Sequence, residues 1–231
     1  GLADPVVYND GATLTGITEP QLTLYAKWTP NKYTIRFDPG KGSGEMEPQG
    51  MIYGDPAYLS ACAFTPPTGY RFAGWNTQKD SNSIQYSDKQ NVSNLATSGT
   101  VTLYAVYTAN LYTIRYNANG GTGTMDPRDY FYDQELPLRK NTFTRVGYTF
   151  LGWNTDPDAD KAIYEDEQKV SNLSATHGAK VDLYAIWKPN DKTGYKVEHY
   201  IETLEGSYEL KETVSGYGTS DAEVTPAVKS Y

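Results

Sequence analysis

The feature that most limits how this chain can fold is an internal repeat. The motif Gly-Tyr-x-Phe-x-Gly-Trp-Asn-Thr stands at residues 69–77 and again at residues 147–155, so that Trp153 follows Trp75 by 78 residues. So many identical positions in register indicate the duplication of a whole unit. A period of this length predicts a tandem array of small modules, each with its own core.

Further matches give the borders of the modules. A closing segment ending in Leu-Tyr-Ala-x-Trp or Leu-Tyr-Ala-x-Tyr occurs three times, at residues 22–28, 101–107 and 181–187. The first copy lacks a beginning. We therefore predict four units joined by short polar linkers into a semi-rigid, elongated array: the C-terminal part of a truncated repeat at 1–30, complete repeats at 31–109 and 110–189, and a partial module at 190–231 that starts with a hairpin.

The composition and the alternation of apolar residues indicate a mostly β fold. The chain holds 21 Tyr and 21 Gly, and tyrosine is enriched in strands while glycine is typical of turns. Each complete repeat opens with a strand in which every second residue is apolar, as in Tyr33, Ile35 and Phe37. Because alternate residues of a strand share one face, this face is predicted to be core.

The repeated motif is predicted to be the packing centre of each module. Aromatic residues alternate along it, and the closing segments add further tryptophans. A glycine inside the strand, Gly74 or Gly152, predicts a bulge or a close approach by another backbone segment. The residues predicted to form the structural core are Tyr70, Phe72, Trp75, Tyr148, Phe150, Trp153, Trp28 and Trp187.

Between the motif and the closing segment, residues 87–95 and 165–173 predict a short helix. Val92 and Leu95 stand three residues apart among polar residues, as do Val170 and Leu173, and the first turn is acidic. One short helix against a small mixed sheet predicts an α+β, β-grasp-like arrangement in each repeat.

These motifs carry a resemblance to a known family. The second copy, from Tyr112 to Trp187, resembles the Listeria-Bacteroides repeat, the B repeat of internalin-type surface proteins, throughout its length. The first copy, from Tyr33 to Tyr107, departs from it at residues 38–41 and at its final residue. The segment from Tyr195 onward is similar to mucin-binding-protein-type repeats. The resemblance implies a β-grasp-like fold, export, attachment to a bacterial cell wall and a role in stalks or adhesion, and it brings no catalytic residues.

Charge and cysteine content exclude several functions. A net charge of −8 argues against binding to nucleic acids or anionic membranes, which requires a basic surface. The single Cys62 cannot form an intramolecular disulfide, and no set of cysteines exists for a zinc site. No apolar run reaches the length of a membrane span. We expect no membrane insertion of this segment and no cofactor.

Few residues have the spacing of a catalytic or metal site. Asp156, Asp158 and Asp160 resemble the start of a calcium loop, but the equivalent segment of the first repeat contains Lys79. The glycine and the bidentate glutamate of an EF-hand do not follow. A solvated loop is therefore the preferred interpretation, and no metal site is predicted.

The remaining candidates also have structural interpretations. His177 and His199 lie in different modules and lack the partners that a zinc site or a catalytic triad needs, so both are interpreted as surface or sheet-face residues. Cys62 is interpreted as a small apolar filler. Glu165 and Glu167 could form a glycosidase-type pair, but the first repeat has serine and lysine at the same positions. An isopeptide crosslink is not favoured, because the lysines lie in polar runs. The chain is predicted not to be an enzyme.

The sequence therefore predicts a non-catalytic, extracellular repeat region of a bacterial cell-surface protein, acting as a stalk and in adhesion to a host or matrix protein or glycan. The alternative is a carbohydrate-binding module that uses exposed aromatic residues, because tyrosine offers an apolar ring and a hydroxyl. Incomplete modules at both ends would also expose strand edges, which predicts end-to-end self-association.

Overall fold

The computed structural model describes residues 7–18, 21–227 and 229–230. Over these residues the protein consists of strands, turns and loops, and this described part of the chain contains no helix. In the described residues, each complete repeat has one four-stranded and one two-stranded sheet, and a hairpin follows the second repeat.

The first repeat is built on a mixed sheet with the strand order β2-β1-β6-β4. Strands β1 and β6 run parallel, and the other neighbours are antiparallel. A small antiparallel pair, β3 with β5, completes the repeat. Its strands are β1 (Lys32–Asp38), β2 (Gln49–Ile52), β3 (Ala57–Tyr58), β4 (Tyr70–Asn76), β5 (Asn91–Val92) and β6 (Gly99–Ala109).

The second repeat has the same arrangement. Its sheet order is β8-β7-β12-β10, with β7 and β12 parallel and a small antiparallel pair, β9 with β11. The strands are β7 (Leu111–Asn117), β8 (Arg128–Phe131), β9 (Leu136–Pro137), β10 (Tyr148–Asn154), β11 (Lys169–Val170) and β12 (Ala179–Pro189). The duplication seen in the sequence is thus a duplication of the fold.

The opening strand of each repeat contributes one face to the core, as its alternation predicted. In β1 the side chains of Tyr33, Ile35 and Phe37 are buried, and in β7 those of Tyr112 and Ile114 are fully buried. Each opening strand lies between a short antiparallel strand and the long closing strand. Two separate cores result, one per repeat.

The predicted α+β, β-grasp-like fold was wrong, because the helix that would cross each sheet is absent. Residues 87–95 and 165–173 instead form a turn, a two-residue strand and a second turn. Four residues in these turns, Lys89, Asn94, Glu167 and Asn172, have φ of 54–57°, whereas a right-handed helix needs φ of about −63°. The spacing of Val92 and Leu95 arises from an extended residue followed by a turn.

Residues 193–218 form the predicted hairpin. Strands β13 (Thr193–Glu202) and β14 (Tyr208–Gly218) pair antiparallel, with Val197 opposite Val214 and an irregularity between His199 and Tyr200. Gly206 in the connecting turn has a φ of 77°. Every second residue of β13 is partly shielded, which agrees with the alternation in the sequence.

The segment before the first repeat has no regular structure where the structure describes it. Residues 21–31 form no strand, although residues 22–28 match the closing strands β6 and β12 in sequence. Trp28, expected in a core, is 87% exposed. The physical reason is that β6 and β12 each lie between an opening strand and a motif strand of their own repeat, and the described residues before residue 22 supply neither. Part of the predicted truncated repeat, residues 1–6 and 19–20, lies outside the described residues.

Candidate functional site: the motif core and the junction between repeats

The tryptophan of the repeated motif lies at the centre of each core. Trp75 and Trp153 are both 0% exposed. The ring centre of Trp75 lies 4.9 Å from those of Phe37 and Phe72, and the rings around Trp153 are placed in the same way. The aromatic residues of the motif therefore serve packing.

Of the other predicted core residues, Phe72, Phe150 and Trp187 pack against these cores from their edge. Trp187 packs against Phe150 with ring centres 5.5 Å apart, and its indole N–H donates to the Ala118 carbonyl at 2.8 Å. Four motif aromatics are half-buried: Tyr70, Phe72, Tyr148 and Phe150.

The glycine of the motif meets both conditions that the sequence predicted. Pairing of the motif strand with the closing strand shifts between Phe72 and Gly74, and again between Phe150 and Gly152. A Cβ atom on Gly152 would lie 2.4 Å from the carbonyl oxygen of Tyr164, closer than two such atoms can approach. Glycine is needed here because a second backbone segment passes directly over the strand.

The asparagine of the motif has a role that the sequence reading did not assign. Asn76 and Asn154 are buried. The Asn76 amide donates to the Ser83 carbonyl at 2.9 Å and its oxygen accepts the N–H of Gln78 at 2.7 Å. Asn154 makes the equivalent bonds. The identity of this residue in both copies was the signal for its role, which is to tie the following loop to the motif strand.

The two complete repeats are joined through one residue, Asn110, because β6 ends at Ala109 and β7 begins at Leu111. Asn110 is 7% exposed. Its N–H donates to the Gly69 carbonyl at 2.8 Å, and its carbonyl accepts the N–H of Tyr132 at 2.9 Å. Its side-chain amide donates to the Ala175 carbonyl at 2.8 Å. The linker is therefore bonded to both repeats.

The same backbone pattern occurs on either side of this junction. The carbonyl of Asn31 accepts the N–H of Tyr53 at 2.8 Å, and that of Asn190 accepts the N–H of Ser220 at 3.0 Å. Asn190 also donates its N–H to the Gly147 carbonyl at 2.8 Å, as Asn110 does to Gly69. An asparagine with its backbone groups bonded is thus a recurrent connection along the chain.

Side chains from both repeats also meet at the junction. The Tyr70 hydroxyl donates to Asp133 at 2.9 Å, and its ring lies edge-on to that of Tyr132 with centres 6.1 Å apart. The hydrogen bond to Asp133 and partial burial raise the pKa of Tyr70 above its ordinary value. Next to them Gly69 faces the Tyr132 ring so closely that an added Cβ would lie 2.2 Å from it.

His177 also contacts the junction, and it is exposed, in agreement with its interpretation as a surface residue. Its Nδ1 lies 3.2 Å from the Leu111 N–H and 3.2 Å from the Arg71 guanidinium. Both neighbours can only donate, so Nδ1 is the acceptor and the proton of the neutral ring is on Nε2. Arg71 in turn donates to the Ala109 carbonyl at 3.1 Å. No short sequence signal could have found this contact, because its partners are 66 and 106 residues away.

The comparison with known proteins identifies the repeat. The sequence pattern of the Listeria-Bacteroides repeat domain matches residues 33–106 and 112–186, which together exceed half of the chain. The chain belongs to the Listeria-Bacteroides repeat domain family.

Two relatives come from Evansella cellulosilytica. One, named as a Gly-rich membrane protein, is 29% identical over 212 residues, which cover 90% of this chain and 22% of the relative. The other, named as a membrane protein, is 27% identical over 229 residues, which cover 93% of this chain and 32% of the relative. The chain thus spans between about a fifth and a third of the length of these relatives. In the part of this chain that the structure describes, no helix is long and apolar enough to cross a membrane.

Asp156, Asp158 and Asp160 lie in the loop after β10, and Cys62 lies beside the first core. Among the described residues, no three His, Cys, Asp or Glu side chains form a group that could hold a metal ion. In the second repeat, Asp156 accepts the N–H of Asp158 at 3.0 Å, which is an ordinary loop contact. Cys62 packs at the edge of the first core, and burial raises the pKa of its thiol.

Proposed function

We propose that this chain is a non-catalytic, semi-rigid spacer region of a bacterial cell-surface protein. Membership of the Listeria-Bacteroides repeat domain family and relatives named as membrane proteins support this function. The observation that carries it is the junction at Asn110. A spacer must hold its modules in a defined relation, and a one-residue linker bonded to both modules does so.

The energetics of the junction favour a fixed relation between the repeats. Rotating one repeat against the other would break either the Asn110–Gly69 bond or the bonds of Asn110 to Tyr132 and Ala175. It would also break the exposed Tyr70–Asp133 bond. A buried donor or acceptor left without a partner costs about 1–3 kcal/mol. Movement at this junction is therefore opposed by the cost of leaving a buried group of Asn110 unpaired, unlike movement in a solvated linker.

Distance measurements between the repeats test the spacer function. Spin labels at S93C and S171C, two exposed and equivalent positions, would be compared in a C62A background with and without a flexible Gly-Ser insert after Asn110. We expect one narrow distance distribution for the uninserted chain and a broad one for the insert. An uninserted distribution as broad as that of the insert would contradict the proposal.

The finer assignment is to the cell exterior, with attachment to the cell wall. We assign residues 190–231 to a mucin-binding-protein-type module and the two repeats to the internalin B type, on the strength of their sequence resemblance. Antibodies against the repeats should label intact cells that express the full-length protein as strongly as permeabilised cells. Labelling that requires permeabilisation would place the repeats inside the cell and overturn this assignment.

A further inference from the structure

A cleft of about 410 Å³ lies in the first repeat beside the junction. It separates the turn after β1, with Gly40 and Lys41, from the loop that contains Asp80. Strand β6 contributes Tyr107, and the junction side is formed by Tyr70 together with Asp133 of the second repeat. The volume lies within the usual range for small-molecule sites, about 300–1,000 Å³.

The first repeat lacks a side chain that joins the two walls of this place in the second repeat. At the equivalent place in the second repeat, the Asn119 amide donates to the Pro157 carbonyl at 2.8 Å and to the Ala185 carbonyl at 3.1 Å, which ties the turn to the loop. The first repeat has Gly40 in place of Asn119 and so has no side chain to make this tie. The two repeats therefore allow a comparison of one place in the fold with and without this tie.

The aromatic side chains of the cleft are held in position. The Tyr107 hydroxyl donates to the Pro39 carbonyl at 3.0 Å, and its ring packs on Phe72 with centres 6.2 Å apart. Tyr70 is fixed by its bond to Asp133. Rings that are already oriented lose little conformational freedom when a ligand binds.

The charged groups of the cleft are two carboxylates, of Asp80 and Asp133, and the ammonium group of Lys41. Asp133 is held by Asn172, whose amide donates to it at 2.9 Å, and by the Tyr70 hydroxyl. Asp80 stands on the opposite loop, and Lys41 adds one positive charge. Since the carboxylates outnumber the ammonium group, the charge of the cleft disfavours an anionic ligand. A ligand with several hydroxyl donors and an apolar face satisfies both the carboxylates and the tyrosine rings.

From this cleft we propose a binding site for a neutral sugar residue of a glycan, built from the first repeat and completed by Asp133 of the second. The sugar lies between the turn at Gly40 and the loop at Asp80, with its hydroxyls donating to Asp80 and Asp133. Because Asp133 comes from the neighbouring repeat, the site depends on the ordered junction. This inference adds a binding activity to the spacer, and it does not require the cell-surface location.

The test uses the whole 231-residue chain and a panel of methyl glycosides of neutral hexoses and N-acetylhexosamines at millimolar concentrations. Amide resonances of the labelled chain would report binding. We expect at least one glycoside to shift the resonances of residues 40–41, 80–82, 104–107 and 133. If no glycoside does so, or if a sialylated sugar or a basic peptide shifts them instead, the proposal is overturned.

Two variants with a matched control localise the binding. G40N introduces the residue that the second repeat has at this position, Asn119, whose φ in the equivalent turn is 45°. This variant should close the cleft and weaken glycoside binding by about tenfold or more. D80N should weaken binding without filling the cleft, while D158N, the equivalent change in the second repeat, should leave it unchanged. If G40N does not fold, the comparison of glycoside binding by D80N and D158N tests the site. Equal binding by D80N and D158N would overturn the site.

Discussion

At the scale of single residues, the central tryptophan of each core stabilises its repeat although its indole N–H is unpaired. The indole N–H groups of Trp75 and Trp153 are buried and have no hydrogen-bond partner among the described residues. An unpaired donor costs about 1–3 kcal/mol. Removing a core tryptophan costs more than that, because the ring fills the space among Tyr116, Phe143 and Phe150 or their equivalents. The stabilisation from filling the core with the indole ring is therefore larger than the cost of its unpaired N–H.

This balance predicts different effects for two changes at Trp153. W153A should lower the free energy of unfolding of the second repeat by about 3–5 kcal/mol, as large aromatic truncations do. W153F should cost less, because it keeps a ring and removes the unpaired N–H. Urea unfolding followed by amide hydrogen exchange measures both. Equal losses for the two variants would show that the N–H has a partner in solution, and W75A should act on the first repeat instead.

The partly buried hydroxyl of Tyr107 predicts a loss of stability at alkaline pH. Burial, with Cys62 and Asp38 nearby, raises the pKa of Tyr107 from 10.0 to about 12. The contribution of Tyr107 to the stability of the folded protein is complete below pH 10, where its hydroxyl is protonated in the folded and the unfolded protein. Above pH 10 the unfolded chain releases this proton first, so stability falls until the pH passes about 12.

Thermal melts between neutral pH and about pH 12 check this expectation. The melting temperature of Y107F should fall less steeply above pH 10 than that of the parent chain, although Y107F starts lower because it loses the bond to Pro39. Parallel curves for Y107F and the parent would show that Tyr107 does not titrate in this range.

At the scale of elements, the sequence predicted strands better than it predicted their connections. Alternation along β1 and β7 identified the core face, because one strand has only two faces to choose from. The same reasoning failed at residues 165–173, since two apolar residues three apart fit a helical turn and also a short strand followed by a turn. Deciding between them required the pairing of β11 with β9, which is a contact distant in sequence.

Asn172 is where this element can be tested. Its φ is 57°, and its side-chain oxygen accepts the N–H of Asp133 at 2.6 Å. N172A should destabilise the second repeat more than N172G, because a left-handed conformation costs a residue with a Cβ about 1–2 kcal/mol and costs glycine little. Chemical denaturation of both variants measures the difference. If N172A were the milder change, the turn would have another conformation in solution.

At the scale of the whole molecule, the junction could not be predicted from the sequence. The repeat period indicated how many modules exist and where they end, and glycine at position 69 looked like part of a core motif. Its contact with Tyr132 and the contact of Arg71 with His177 depend on how two sheets approach each other. The open cleft likewise depends on comparing Gly40 with Asn119 in three dimensions.

A pair of glycine variants isolates the junction from the repeats it joins. G69A and G99A both place a Cβ on a residue with positive φ, 78° and 74°. The added atom would meet the Tyr132 ring in G69A and nothing within 4 Å in G99A. G69A alone should therefore broaden the distance distribution between labels on the two repeats. A distribution in G69A as narrow as in G99A would mean that the Tyr132 contact does not hold the repeats together.

The parallel pairing of entry and exit strands has a mechanical consequence. The chain enters the first repeat along β1 and leaves along β6, its hydrogen-bonded parallel neighbour, and β7 and β12 repeat this arrangement. Tension on the two ends pulls these strands past each other, so their ladder bonds carry the load together. In the hairpin of β13 and β14, the start of β13 pairs with the end of β14. Tension on these two ends therefore opens the hydrogen bonds between the strands one at a time. Under a pulling force the hairpin yields first and the two repeats resist.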